Sequence, residues 1–358
     1  MRLKEIQVNL AKAGQVMALA PGDDFRYAVG WSPMADERLT FLIIGPRTAH
    51  LVIASVNAEE AVEHLPKEVS ISRFTDDTGP QDVLSRAVAL QPTLPWLISD
   101  DARYDHGGSL TEAVGQSMGL ASQVMAPLRM KKDDGECRLL QACQSINDLA
   151  MQAGLEALRP GLTELELADV IRQSFIRNGA DREAFIIVAF GEHTALPHHS
   201  PTTTVIGEGP VLLDIGCYYQ GYASDMTRVA YIGEPPEEFR LIHGLVDQAV
   251  RAAQQVAVPG APAEVVDQAA RGFISSAGYG AAFIHRVGHG IGLSVHEPPS
   301  VAEGNTLKLP ENAAFSIEPG IYLPGQFGVR LEEVVINRSD GASILSKIPR
   351  DIYVKPLS

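Results

Sequence analysis

Val211-Leu-Leu-Asp-Ile-Gly-Cys-Tyr-Tyr-Gln-Gly-Tyr-Ala-Ser-Asp-Met-Thr-Arg228 reads as an antiparallel hairpin. Val211-Leu212-Leu213 opens a buried strand, and Tyr219-Gln220-Gly221 supplies the turn. Folding there would set Asp214 and Asp225 roughly opposite each other on one face, with Cβ atoms about 5 Å apart. Two carboxylates that close repel unless a cation lies between them. On an exposed hairpin they would be two solvated acids, but the apolar run before Asp214 argues for burial.

Three more groups of metal-ligand type follow in strand or strand-edge contexts. His289 lies in His285-Arg-Val-Gly-His-Gly-Ile-Gly-Leu293, where the flanking glycines read as removing bulk from a cation's approach. Glu318 lies in Phe315-Ser-Ile-Glu-Pro-Gly-Ile-Tyr322, where Pro319 and Gly320 end the strand and point the carboxylate into a cavity. Glu332 lies in Gly328-Val-Arg-Leu-Glu-Glu-Val-Val335. In one continuous strand Arg330 and Glu332 share a face and Glu333 points away. Arg330 is then placed to pair with a ligand carboxylate or to bind substrate.

Alone, such a histidine is more often a satisfied core residue, and such a glutamate a surface charge. Together, four carboxylates and one imidazole are an oxygen-rich set suited to two divalent cations. With no thiolate to select zinc, Mn²⁺ suits them best, with Co²⁺ or Zn²⁺ as substitutes. His198, after Ala195-Leu-Pro, and His296, in Ser294-Val-His-Glu-Pro-Pro299, are suited to polarising a carbonyl or moving a proton near neutral pH. His285 reads as a group standing one contact behind the ligands. His193 and His199 have no clear assignment.

The surrounding chain repeats itself. A helix from 137 to 158 precedes Arg159-Pro160-Gly161, and Thr163 with Glu166 forms a capping box for a second helix stopping at Gly179. A helix from 236 to 256, the turn Val258-Pro259-Gly260 and a further helix stopping at Gly278 follow the same plan, with the same interval between proline and glycine. Strands at 184–189 and 282–287 would complete the two copies. An internal duplication explains this pattern. It predicts helices on one side of a curved antiparallel sheet, with ligands donated by both halves near a pseudo-twofold centre.

At 358 residues the chain is too long for one ordinary core. Residues 1–130 alternate buried strands (40–45 and 50–55) with helices (58–65 and 80–89), which predicts a smaller α/β domain. Lys131-Lys132-Asp133-Asp134-Gly135 is polar and turn-prone, so 131–135 reads as the linker to a domain spanning 136–358. The N-terminus is charged and amphipathic and reads as a first helix, not a signal peptide. No apolar run is long enough to span a membrane. Three cysteines, an odd number without CxxC spacing, suit a reducing cytoplasm. A net charge of −15 argues against nucleic acid and anionic membranes as partners.

Taken jointly, several stretches resemble the pita-bread metallopeptidases, specifically the Xaa-Pro group of prolidase and aminopeptidase P. They are Ala195-Leu-Pro-His-His, Leu213-Asp-Ile-Gly, Ser224-Asp-Met-Thr-Arg, His285-Arg-Val-Gly-His-Gly-Ile-Gly, Val295-His-Glu-Pro-Pro, Ile317-Glu-Pro-Gly-Ile-Tyr and Gly328-Val-Arg-Leu-Glu-Glu. Phe25-Arg-Tyr-Ala-Val-Gly-Trp adds a weaker likeness to the creatinase/prolidase N-terminal domain. The resemblance implies an α+β fold with a pita-bread catalytic domain. Asp214 is then a terminal, bidentate ligand of one metal, Asp225 and Glu332 bridge the pair, and His289 and Glu318 bind the other. His198 and His296 match the histidines that contact substrate, and Arg330 the active-site arginine. His193 stands where the family often has Asn, and Glu333 where Asp follows the last ligand.

The expected activity is two-metal hydrolysis of Xaa-Pro bonds, with Glu318 or Glu332 as proton carrier. Dipeptides are the first expectation for the substrate, small peptides with proline second. Aminopeptidase P action on longer peptides is the alternative. A metal-free binding protein of the same fold, a creatinase-like amidinohydrolase or a methionine aminopeptidase fits the residues less well. A homodimer is implied by the resemblance alone.

Overall fold

The computed structural model describes residues 2–357. The chain divides into two compact units between Arg129 and Met130. The first holds α1 (Leu3–Ala13), β1 (Val16–Leu19), α2 (Asp23–Val29), β2 (Phe41–Ile44), β3 (Ala49–Ala54), α3 (Ser55–His64), β4 (Ser70–Phe74), α4 (Gln81–Ala89), β5 (Trp96–Ile98), α5 (Tyr104–Val114), β6 (Gly119–Leu120) and α6 (Ser122–Met130). Its strands form one six-stranded mixed sheet in the order β4-β3-β2-β1-β5-β6. Val16, Ala18, Phe41, Ile43 and Val52 carry its core. Residues 131–135 pack into the second unit. Lys131 pairs with Ala313 as an isolated bridge, Lys132 is buried, and the next helix starts at Asp134.

The second unit contains α7 (Asp134–Ala157), α8 (Glu164–Arg177), β7 (Arg182–Phe190), β8 (Gly209–Tyr219), β9 (Tyr222–Ala223), β10 (Met226–Ile232), α9 (Glu237–Val256) and α10 (Ala263–Ser276). It continues through β11 (Gly288–Gly290), β12 (Glu297–Val301), β13 (Ala314–Ile317), β14 (Gly320–Leu323), β15 (Phe327–Arg330), β16 (Glu333–Arg338), β17 (Gly341–Ile344) and β18 (Tyr353–Lys355). One five-stranded sheet runs β18-β10-β8-β7 with β9 on β8, the other runs β12-β11-β13-β16-β17, and β14–β15 is a separate hairpin. All pairs are antiparallel except β10–β18.

The duplication is visible in backbone geometry. Both bonds of the Thr163–Glu166 capping box form. Gly179 and Gly278 adopt φ of 85° and 90°, the left-handed conformation just past each second helix, and Gly161 and Gly260 adopt 92° and 86° in the Pro-Gly turns between helices. Gly161 N–H bonds Ile206 O, and Gly260 N–H bonds Leu309 O. The second copy departs at its expected strand over 282–287. That stretch is a short 3-10 turn followed by irregular chain, and the strand comes later at 288–290. Asp267 and Arg271 bind its backbone from α10 instead.

Each helix pair covers one sheet. Ile146, Ala150, Met151 and Leu155 of α7 and Leu167, Ile171 and Phe175 of α8 pack on Val211, Leu213 and Ile215 of β8. Phe239, Ile242, Val246 and Val250 of α9 and Val266, Ala270 and Ile274 of α10 pack with Phe315, Ile317 and Val335. Each of these large side chains contributes about 1.5–3 kcal/mol by leaving water. Alternation along β8 sends 211, 213 and 215 to the helices and leaves Asp214 on the other face.

Candidate active site

On that other face lies a cavity of about 530 Å³. The nine residues singled out from the sequence, Asp214, Asp225, His289, Glu318, Glu332, His198, His296, Arg330 and His285, all line it. His193 and His199 do not.

The hairpin register differs from the expected one. Gln220 and Gly221, with φ of 49° and 82°, form the turn, so Asp214 pairs with Thr227 and not with Asp225. Asp225 shares Thr227's face two residues earlier and lies diagonal to Asp214. Gly216 permits this, because a Cβ there would meet Ser224 O at 2.4 Å. The glycines around His289 also act on backbone neighbours and not on a cation's path. A Cβ at Gly288 would stand 1.9 Å from Ser316 O, and one at Gly290 2.1 Å from Pro298 O, so they let β12 and β13 close on β11. Arg330 and Glu332 are not in one strand: β15 ends at Arg330 and β16 starts at Glu333. Glu332 N–H reaches Thr227 O across the break. Its carboxylate still enters the cavity, and Glu333 turns away to bind Arg228 and Arg350.

Within the cavity His289 Nε2 stands 3.1 Å from Glu318 Oε1 and 3.7 Å from Asp225 Oδ2. His289 Nδ1–H donates to Gly290 O, which leaves Nε2 as the nitrogen facing the acids. One ligand atom each from Asp225, His289 and Glu332 lies within 4.8 Å of the others. Glu332 Oε2 accepts from Thr227 Oγ1 at 3.0 Å, and Glu318 Oε1 from Ser316 Oγ at 3.0 Å. Arg330 donates to Asp214, to Thr227 Oγ1 and to the Tyr322 hydroxyl at 2.7 Å. Tyr322 reaches His285 Nε2 at 2.9 Å, and His285 Nδ1 reaches Arg286 O at 2.7 Å. This chain makes His285 a neutral imidazole that accepts from Tyr322 and donates to the carbonyl. Burial agrees, lowering the His285 pKa.

Burial, then the charge of Asp214, pushes Asp225 well above the usual carboxylate range. Burial and then Asp225 do the same to Glu332. Burial opposes ionisation of Glu318 too, but the His289 hydrogen bond and charge offset it and hold that carboxyl near 2. His296, edge-on to His289 with centroids 4.2 Å apart, is lowered to about 4 by burial and by the charges of His289 and Arg286.

These observations test whether divalent cations fit. Asp214 Oδ1 and Glu332 Oε1 are buried with no hydrogen-bond partner, a costly state for carboxylate oxygens unless another group binds them. Four acids face a single buried guanidinium. The donor set is all oxygen apart from one imidazole nitrogen. The residues fit a pair of hard or borderline dications.

A profile of metallopeptidase family M24 matches residues 138–338. The chain belongs to that family. This metallopeptidase is 36% identical over 350 residues to the Mycobacterium tuberculosis protein named "Probable dipeptidase PepE", covering 96% of this chain and 92% of that one. It is 35% identical over 347 residues to the Xaa-Pro dipeptidase of Lactobacillus helveticus, covering 92% of each. The solved recombinant prolidase of Thermococcus sibiricus superposes with a TM-score of 0.92 at 34% identity, covering 99% of this chain and 98% of that one. These likenesses agree with the pita-bread architecture of the second unit.

Sequence reasoning missed several contributors to the M24 site. Tyr322 lay within a quoted motif, and its alternation with Gly320 on one strand was the available signal. Thr227 sat beside Asp225 on the same face. Arg286, which lines the cavity, and the apolar Phe185, Ile187 and Val295 carried no pattern of their own.

Proposed function

We propose that this chain hydrolyses Xaa-Pro dipeptides with two divalent cations held by Asp214, Asp225, His289, Glu318 and Glu332. The observation that carries the reading is the convergence of these five groups on one cavity, with two buried carboxylate oxygens lacking partners. In this assignment Asp214, Asp225, His289, Glu318 and Glu332 would together hold the cations. Bound there, the cations would acidify a water and polarise the scissile carbonyl. Mn²⁺ is the native metal in this reading, with Co²⁺ or Zn²⁺ as substitutes.

The chain's own residues do the rest. Glu318, with a side chain 17% exposed, or the fully buried Glu332 would take a proton and return it to the prolyl nitrogen. His198 and His296 donate N–H groups to the substrate carbonyl. Arg330 orients Asp214 and counters the rise in its pKa that burial causes. Ala184, Phe185, Ile187 and Val295 offer an apolar wall suited to a proline ring, whose amide nitrogen has no hydrogen to satisfy.

Arg286 favours dipeptides over longer chains. Its guanidinium lines the cavity, donates to Ser300 Oγ at 3.2 Å and has no carboxylate partner among the described residues. A free C-terminal carboxylate suits it. The second reading, aminopeptidase P action, gives that arginine no partner. Comparing Ala-Pro with Ala-Pro-Ala in the presence of Mn²⁺ separates them, and a clear preference for the tripeptide would sink the first. The proposal extends to a cytoplasmic homodimer in which residues 1–130 form the N-terminal domain and 131–358, the expected linker 131–135 included, belong to the catalytic domain. The odd cysteine count supports the compartment, and the family resemblance the dimer and the domains.

A further inference from the structure

We propose that Glu164 is a positioning residue of this peptidase, aiming His198 into the cavity by gripping both ends of the loop that carries it. This rests on the reading of His198 as a substrate-contacting group.

Glu164 is the first residue of α8 and is fully buried. Its carboxylate accepts from five donors, all belonging to the chain between Phe190 and Thr202. Oε1 takes Phe190 N–H and His193 Nδ1, both at 2.9 Å. Oε2 takes His199 Nε2 at 2.9 Å, Thr202 N–H at 2.9 Å and Thr202 Oγ1 at 2.7 Å. The rings of His193 and His199 stack with centroids 4.3 Å apart. Between them Leu196 N–H bonds His193 O, and His199 N–H bonds Leu196 O. The chain is thus pinched shut below a tip bearing Pro197 and His198, both of which line the cavity.

His198 needs this support because nothing holds its own ring. Among the described residues the His198 imidazole makes no hydrogen bond, and the residue is exposed. Its aim comes from the backbone, fixed by Glu164 on one side and by Arg330 Nη2 on Pro197 O at 3.2 Å on the other.

The duplicated half supplies an internal control. Glu164 N–H bonds Thr204 O, and Ala263 N–H bonds Leu307 O at the matching point. There an alanine opens the helix, so the fold does not need an acid at this position. The second half also presents a cavity histidine, His296, but its turn is held differently, through Lys132 on Glu297. The acid is therefore the first half's own device for its loop.

Glu164, His193 and His199 are also close enough to hold a metal ion. The hydrogen bonding speaks against that: both oxygens are filled by N–H and O–H donors, and the stacked rings point their donors at the carboxylate and not at a shared point.

The test is a double-mutant cycle on the metal-loaded enzyme, with kcat and KM measured on Ala-Pro for Glu164→Gln, Glu164→Asp, His198→Ala and the Glu164→Gln/His198→Ala pair. Glu164→Gln turns an acceptor into a donor facing donors, and kcat/KM falls by about tenfold or more. It divides between kcat and KM as His198→Ala does, while Glu164→Asp recovers part of the loss. In the His198→Ala background Glu164→Gln costs no more than about twofold. An equal cost in both backgrounds, or loss of a bound metal equivalent in Glu164→Gln, overturns the proposal. Should that variant fail to fold, His199→Phe removes one donor contact and is expected to move activity the same way. Undiminished activity in His198→Ala would end this inference without touching the five-ligand reading, which Asp225→Asn tests separately.

Discussion

Arg330 donates from Nη2 to Asp214 Oδ2, and its Nε reaches Thr227 Oγ1 at 3.1 Å. The Thr227 hydroxyl passes its own hydrogen to Glu332 Oε2. One guanidinium therefore orients two of the cavity acids, one directly and one through a hydroxyl. A lysine keeps the charge but cannot serve Asp214, Thr227 and Tyr322 together. Arg330→Lys should lower kcat/KM by about 10- to 100-fold, from one or two lost charge-assisted hydrogen bonds. Steady-state kinetics checks it, and an unchanged rate would remove Arg330 from the machinery.

Asp225 faces His289 and Glu332 at ligand distances, so its loss should weaken cation binding itself. Asp225→Asn is expected to bind fewer metal equivalents by elemental analysis and to lose at least about 100-fold in turnover. Removing repulsion from three other acids should also make its metal-free form more stable than the metal-free parent. That opposite movement of stability and activity distinguishes a ligand from a structural acid.

Much of this site was legible because its residues sit in local patterns. The capping box, the paired Pro-Gly turns and the ligand motifs each depend on neighbours a few positions apart. What sequence alone did not reveal depends on contacts between distant segments. The role of Gly288 and Gly290 follows from β12 and β13 closing on β11, whereas the diagonal placement of Asp225 is a one-residue difference in a local turn, set by Gln220 and Gly221. The break between Arg330 and Glu332 was hidden by an unbroken strand-like run. Glu164 carries no signal in the sequence beyond standing at a helix start, since its five donors lie far along the chain.

Lys132 Nζ meets Glu297 Oε1 at 2.5 Å, with side chains 1% and 3% exposed. Glu297 follows His296, so the pair ties a cavity histidine's turn to the start of the second unit. Removing one partner leaves the other charge buried. Lys132→Met should cost about 3–5 kcal/mol of stability by denaturant unfolding, and Lys132→Met with Glu297→Met should recover much of it. Single and double variants of equal stability would contradict this.

His243 Nε2 donates to Arg350 O at 2.8 Å, steadying the segment whose arginine binds Asp247 and Glu333. Burial is the largest influence and lowers its pKa, against the hydrogen bond to Arg350 O and the charges of Asp247 and Asp351, and with the charge of Arg350. As pH falls below the ordinary histidine value of about 6.5, the unfolded chain takes up a proton that folded His243 resists. The stability tied to the neutral ring is therefore lost as pH falls through that range toward the folded value. His243→Gln should flatten the acid side of the Tm-versus-pH curve, measured on metal-loaded protein. A curve of unchanged slope would assign the acid sensitivity elsewhere.

Arg286 offers the sharpest test of substrate length. It lines the cavity beside Ser300 and near His296, and the proposed function pairs its charge with the free carboxylate of a dipeptide. Pairing with a free carboxylate would contribute about 1.5–3 kcal/mol. Arg286→Gln should then cut kcat/KM on Ala-Pro by about 10- to 100-fold and leave the C-terminal amide of Ala-Pro nearly unaffected. The parent enzyme should prefer the acid over the amide by a similar factor, and high salt should narrow that preference, because the arginine is exposed. Equal losses on acid and amide would mean that Arg286 shapes the cavity without reading the carboxylate. The dipeptide preference would then need another source.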